Sequence, residues 1–104
     1  LIVAEEPAVA YAMFTTNVVK AAPVIVSSRR LKKGRCQAVL VNSGNANACT
    51  GAKGLADVQT MAHHVASSVG CKPHEVLVAS TGIIGEQLPI GKITKGISKA
   101  AYQC

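Results

Sequence analysis

The chain has no tryptophan and only three other aromatic residues, Tyr11, Phe14 and Tyr102. A core built without large rings must rest on Val, Ile, Leu and Ala. No aromatics stand among the basic residues either, so there is no platform for stacking nucleic-acid bases. Acids are scarce: five Asp and Glu against eleven Lys and Arg leave a formal net charge of +6. No apolar run is long enough to cross a bilayer, and no signal-peptide pattern is legible in these residues. The four cysteines (Cys36, Cys49, Cys71 and Cys104) show no CxxC spacing. Neither a metal cluster nor a disulfide framework is expected from them. Free, mostly buried thiols in a reducing cytoplasm are.

Length bounds the rest. A chain of 104 residues makes one domain at most, able to bury roughly two-thirds of its unfolded surface. It opens without Met in an apolar run, Leu1-Ile2-Val3-Ala4, and ends at Cys104 inside a helical pattern that carries no stop. The expectation is a single incomplete domain over 1–104, part of a larger assembly. An acidic partner chain would balance the charge. The basic run Arg29-Arg30-Leu31-Lys32-Lys33-Gly34-Arg35 reads as a solvated turn between two elements rather than a nucleic-acid patch.

The pattern of apolar residues predicts the elements. Ala8 to Thr15 partly alternates and reads as a strand. Val18 to Ala22 reads as extended because the residue before Pro23 is pushed from the helical region, and Val24-Ile25-Val26 continues the β character. Ser27 is placed to cap a short helix, Ser28 to Lys33, stopped by Gly34. Cys36 to Asn42 is a near-continuous apolar run, the signature of a strand covered on both faces. Leu55, Val58, Met61, Val65 and Val69 recur at helical spacing, and Gly70 ends that helix. Glu75 to Ser80 is a further strand. Pro89 opens a last helix in its first turn, with Ile90, Ile93, Ile97 and Ala101 as its apolar stripe. The order β-β-α-β-α-β-α predicts an α/β (α+β) fold, a layered mixed β-sheet with helices.

Two corners stand out for chemistry. Asn42-Ser43-Gly44-Asn45-Ala46-Asn47-Ala48-Cys49-Thr50-Gly51 follows a strand and contains nothing large or charged. Asn and Gly tolerate positive φ and offer short polar groups to nearby backbone. Strand, Gly-rich loop and helix is the geometry of anion sites, but neither GxGxxG nor GxxxxGK[ST] is present. A site for a small carboxylate-bearing ligand, or packing against another chain, fits as well. The second corner is Ser80-Thr81-Gly82. A hydroxyl beside the amide of a residue without Cβ supplies two donors for one oxyanion, although the tripeptide alone is common in turns. Together the corners suggest two walls of one site.

Other candidates carry less. His63 and His64 are adjacent on a helix, about 100° apart, and cannot form the i, i+4 pair that holds a metal; no metal site is expected. One is expected on the surface and one partly buried. Cys49 near a helix start has the placement of an activated thiol, but no base is dedicated to it, and it reads as a small packed residue. Asp57, in the first turn of its helix, answers the helix dipole. Glu75 reads as a strand edge.

In combination the motifs become specific. Asn17-Val18-Val19-Lys20-Ala21-Ala22-Pro23-Val24, then Val41 to Gly51, then Val78-Ala79-Ser80-Thr81-Gly82-Ile83-Ile84-Gly85 with Leu88-Pro89, stand in this order. The chain from about Tyr11 to Ile97 resembles the N-terminal part of the ornithine acetyltransferase family, the glutamate N-acetyltransferases that include the bifunctional proteins of arginine biosynthesis.

The resemblance implies an enzyme that cuts its own precursor before a threonine, giving an α and a β chain. The new N-terminal threonine takes acetyl from N-acetylornithine and passes it to glutamate. No cofactor is implied, though some members use acetyl-CoA as co-substrate. The implied partners are the β chain of the same precursor, in an α2β2 heterotetramer, and those small molecules; neither nucleic acid nor membrane is implied. By matching motif, Thr81 and Gly82 fall on the family's oxyanion pair, hydroxyl plus backbone amide, with Ser80 in support. The cleavage-site threonine and the downstream Lys, Thr and Glu are absent, and Thr50, Thr60 and Thr94 do not match the cleavage motif. This segment alone is therefore expected to be inactive. A non-catalytic anion- or nucleotide-binding domain using the Asn42–Gly51 loop is the alternative reading, and a self-cleaving peptidase stays open.

Overall fold

The computed structural model describes residues 1–104. Strand β1 (Ile2–Val9) leads to helix α1 (Ala22–Arg30), then β2 (Arg35–Asn45), α2 (Gly51–Val69), β3 (Val76–Ile83) and α3 (Ile90–Gln103). Two single 3-10 turns, Leu31–Lys33 and Pro73–Glu75, precede β2 and β3. The sheet order is β1-β2-β3. β1 runs antiparallel to β2, and β2 runs parallel to β3 with α2 as the crossover. This is the layered, mixed α/β sheet that the sequence predicts.

The first third departs from the prediction. The strand over Ala8 to Thr15 is absent, because β1 lies earlier and residues 10–17 are irregular. Tyr11 and Met13 are about nine-tenths exposed (90% and 88%), so the alternation there has no partner within this chain. Val24-Ile25-Val26 is helical rather than extended. Pro23 sits in the first turn, where its missing N–H costs nothing. The β-branched preference of this segment, a few tenths of a kcal/mol per residue, is overridden by packing of Val26 and Ser27, both buried against the sheet. The short helix expected from Ser28 becomes the end of α1 plus the 3-10 turn, and Gly34 stops it in the left-handed conformation, φ 68.

The helix stop at Gly70 is also left-handed, φ 79. α2 begins three residues before the expected Gly54. Asp57 is therefore not in the first turn; it is buried and pairs with Lys53 Nζ at 2.8 Å. Pro89 stands at the N-cap of α3, one position earlier than expected.

One core holds these elements together. Val58, Met61, Ala62 and Val65 of α2 are fully buried against Ala38 and Leu40 of β2, Val76 and Val78 of β3, Val26 of α1 and Ile97 of α3. Sequestering a side chain such as Met61 contributes about 1.5–3 kcal/mol. All the deeply buried strand residues are on alternate positions, hence on one face of the sheet. The other face carries Val41, 55% exposed, and Ile2, 68% exposed. The apolar run of β2 is therefore covered on one face only, not both. The thiols differ from expectation too: Cys36 and Cys71 are half-buried, Cys49 and Cys104 exposed.

Candidate functional site

The two corners are neighbours in one ladder rather than facing walls. Asn42 pairs with Ser80, Ser43 with Thr81 and Gly44 with Gly82, so the first four residues of the Asn/Gly decapeptide belong to β2 and the Ser-Thr-Gly corner belongs to β3. Both glycines have positive φ, 123 at Gly44 and 127 at Gly82. At Gly82 the need is steric as well. A Cβ there would lie 2.3 Å from both Gly44 C and Gly44 O and 2.7 Å from Asn45 N. Only glycine lets the two strand ends come this close.

Which donors are free follows from the ladder. On β3 the even positions turn their backbone groups away from β2. The Val78 carbonyl accepts from Ser27 Oγ at 2.8 Å, and the Val78 N–H donates back to the same oxygen at 3.0 Å. The Val76 carbonyl accepts from Arg30 Nη1 at 2.7 Å. The odd position Ile83 points the other way, its carbonyl accepting the Ala46 N–H at 2.9 Å. In a parallel ladder the pattern alternates, so the Gly82 N–H lies on the outer edge of β3, past the last position that α1 caps. Thr81 is exposed. As an odd residue it projects to the sheet face opposite Val76 and Val78. The Ser80 hydroxyl donates to Asn42 Oδ1, whereas the Thr81 hydroxyl has no partner in the chain. An unengaged hydroxyl and an amide turned to the outer edge of β3 thus stand on consecutive, exposed residues at the end of the strand.

No cavity of this chain is lined by Thr81 or Gly82. Two clefts touch the decapeptide: one of about 210 Å³ is lined by Lys20, Cys49, Thr50 and Leu55 among others, and one of about 200 Å³ by Leu40, Asn42 and Ile97 among others. Cys49 is exposed in the first with φ 57, so it is not the packed residue expected. No hydrogen bond engages its thiol.

The remaining decapeptide residues, which sequence reasoning could not place, form an internal clamp. Asn47 is fully buried with φ 52. Its Nδ2 donates to the Gly54 carbonyl at 3.0 Å, its Oδ1 accepts from Thr50 Oγ1 at 2.7 Å, and its carbonyl accepts from the Ala22 N–H at 3.2 Å. Gln87, also missed, donates from Nε2 to the Thr50 carbonyl at 3.2 Å, and its carbonyl accepts from Asn45 Nδ2 at 3.4 Å. Asn47 carried one legible signal, the tolerance of Asn for left-handed backbone; Gln87 carried none.

Other titratable groups lie outside the corner. His63 is exposed and His64 half-buried, bonded to Gln59 O and Ser98 Oγ respectively. Nowhere do three His, Cys, Asp or Glu residues gather as metal ligands. The Glu75 carboxylate accepts from the Lys72 N–H at 3.2 Å, closing the turn before β3. Arg30 and Arg35 are engaged with backbone carbonyls of Val76 and Pro7; Arg30 is half-buried, whereas Arg29, Lys32, Lys33 and Arg35 are exposed. Burial draws the Arg30 guanidinium below its ordinary value. Burial, and then the Glu75 charge, push the Cys71 thiol up. No helix is long and apolar enough to cross a membrane.

Comparison with known proteins gives a consistent outcome. A profile of the ArgJ family matches residues 1–104. The arginine biosynthesis bifunctional protein ArgJ of Caldanaerobacter subterraneus subsp. tengcongensis is 54% identical over 101 residues, covering 97% of this chain and 25% of that protein. The ArgJ protein of Geobacter sulfurreducens is 52% identical over 97 residues, 93% of this chain and 25% of its own length. The chain thus spans about a quarter of the length of these curated relatives. Among solved structures, arginine biosynthesis bifunctional protein ArgJ from Bacillus halodurans superposes with a TM-score of 0.90 at 47% identity, over 93% of this chain and 51% of that one. Ornithine acetyltransferase from Mycobacterium tuberculosis, complexed with ornithine, gives 0.92 at 42% identity, over 97% and 55%.

Proposed function

Because this chain belongs to the ArgJ family, we propose that it is an α-chain segment of a glutamate N-acetyltransferase of arginine biosynthesis, and that its Thr81–Gly82 corner is the oxyanion hole. The reaction is acetyl transfer from N-acetylornithine to glutamate through an acetyl-threonine. The nucleophile, the substrate-binding residues and the opposite wall of the site come from polypeptide outside this segment, which alone is inactive. Its partner is the β chain of the same precursor, in an α2β2 assembly. Four free thiols suit a reducing cytoplasm.

One observation carries the reading: an exposed, unpartnered Thr81 hydroxyl stands next to an edge-facing Gly82 amide. When the threonine nucleophile attacks the acetyl carbonyl, its oxygen becomes negative. A hydroxyl and an amide donating to that oxygen stabilise both tetrahedral intermediates, on acylation and on transfer to glutamate. Donors whose bonds strengthen as the charge develops act on kcat rather than on binding. The test is Thr81→Ala in the complete enzyme. We expect kcat to fall roughly 10²–10³-fold, the usual cost of one such donor, with KM little changed. An unchanged kcat removes Thr81 from the mechanism.

A further inference from the structure

We propose that Asn47 is a positioning residue for the Thr81–Gly82 corner, holding it through the backbone on either side of Asn47 without touching substrate. The inference rests on the oxyanion reading above. The residue before Asn47 donates its N–H to the Ile83 carbonyl at 2.9 Å, and the residue after it accepts from the Gly85 N–H at 2.8 Å. These two bonds grip the chain one and three residues beyond Gly82. Neither Ala46 nor Ala48 has a polar side chain that could fix its own backbone. Asn47 does this for both. It is fully buried, and three hydrogen bonds tie it to Gly54, Thr50 and Ala22.

The surroundings are shaped to this clamp. A Cβ on Gly54 would lie 1.9 Å from Thr50 Oγ1 and 2.6 Å from Asn47 Oδ1, so the helix must be bare where the carboxamide seats. The left-handed φ of Asn47 is uncommon outside glycine and is held by the same three bonds. Removing the carboxamide takes the second donor from the Gly54 carbonyl, which lies inside α2, leaves the Thr50 hydroxyl without its acceptor, and frees residues 46–48 to shift. The shift passes to Ile83 and Gly85, and the corner loses its aim. Misplacement of a catalytic group by about 1 Å can cost ~10²-fold in rate.

The experiment is a double-mutant cycle in the complete enzyme. Asn47→Gly keeps the backbone conformation and deletes the carboxamide. Thr50→Val deletes the hydroxyl that holds it, and Thr50→Ser restores that hydroxyl, so a poorly folding Asn47 variant does not end the test. Steady-state kcat and KM are measured well below each variant's Tm. We expect Asn47→Gly and Thr50→Val to lower kcat about 10–100-fold with little change in KM, and Thr50→Ser to recover most of it. In a Thr81→Ala background the same changes should cost far less, because the donor they aim is already gone. A purely structural role predicts losses that multiply with Thr81→Ala; that outcome, or an unchanged kcat, overturns the positioning role while the oxyanion reading stands. If Thr81→Ala itself leaves kcat unchanged, the oxyanion reading fails and takes this inference with it.

Discussion

Replacing Gly82 by alanine tests the geometry of the site with a single methyl group. The new Cβ would stand 2.3 Å from the Gly44 carbonyl and 2.7 Å from Asn45 N, whereas contacts under 3.0 Å essentially never occur at real Cβ atoms. The obstacle is backbone, so β2 and β3 must part by roughly 1 Å at their ends, a displacement that, if Gly82 is the proposed oxyanion donor, costs about 10²-fold in rate. Stability falls as well. An L-residue held at φ +127 costs about 1–3 kcal/mol, and forcing the strands apart adds about 1–3 kcal/mol. Gly44→Ala is the internal control. It has the same kind of φ, +123, but nothing within 4 Å of the new Cβ, so it carries the conformational cost alone. Thermal denaturation and steady-state acetyl transfer in the complete enzyme are the assays. Gly82→Ala is expected to lose more stability than Gly44→Ala and about 10²-fold in kcat. Equal Tm values for the two variants, with wild-type kcat in Gly82→Ala, would refute the close approach and its role.

Four further outcomes are open to measurement. Ser27→Ala removes the hydroxyl that satisfies both backbone groups of Val78; with each orphaned buried group costing about 1–3 kcal/mol, chemical denaturation should show a loss of at least about 2 kcal/mol. Cys71, whose thiol is pushed up by burial and Glu75, should alkylate more slowly than exposed Cys49 at neutral pH, read by mass spectrometry of partially labelled protein. Its raised folded-state pKa also means that the stability linked to it is intact below the ordinary thiol value and is lost as pH rises through the folded-state value; a Cys71→Ala variant should lack that alkaline loss in a denaturation series. Finally, a thermal-shift screen should show no nucleotide-dependent stabilisation of this segment; a salt-sensitive shift with nucleotide would instead favour anion binding by the Asn42–Gly51 loop.

The helix–strand–helix body was legible because its signals are local. Val58, Met61 and Val65 repeat at helical spacing, β2 is an apolar run, and Gly34 and Gly70 end helices in the left-handed conformation as anticipated. α1 was not legible. Its Val24-Ile25-Val26 core has strand character, and its helix is fixed by contacts to residues some fifty positions away, such as Ser27 to Val78. β1 escaped for a related reason. Glu5-Glu6-Pro7 looks like a loop, and the strand's pairing with β2 is interrupted between Val3 and Ala8, where an edge strand tolerates proline. At the candidate site, Thr81 and Gly82 were found through a motif resemblance rather than through any periodicity. That they share a ladder with Ser43 and Gly44 is a matter of register. The clamp around Asn47 joins α1, the loop, α2 and the turn after β3, a convergence that no spacing in the sequence encodes.

The most direct measurement of the central claim compares Thr81→Ser with Thr81→Ala in the complete enzyme. Serine keeps the donor and loses only a methyl; alanine loses the donor. A kcat for Thr81→Ser near wild type, and one for Thr81→Ala lower by roughly 10²–10³-fold, is the predicted result. Equal kcat values in the two variants would contradict it.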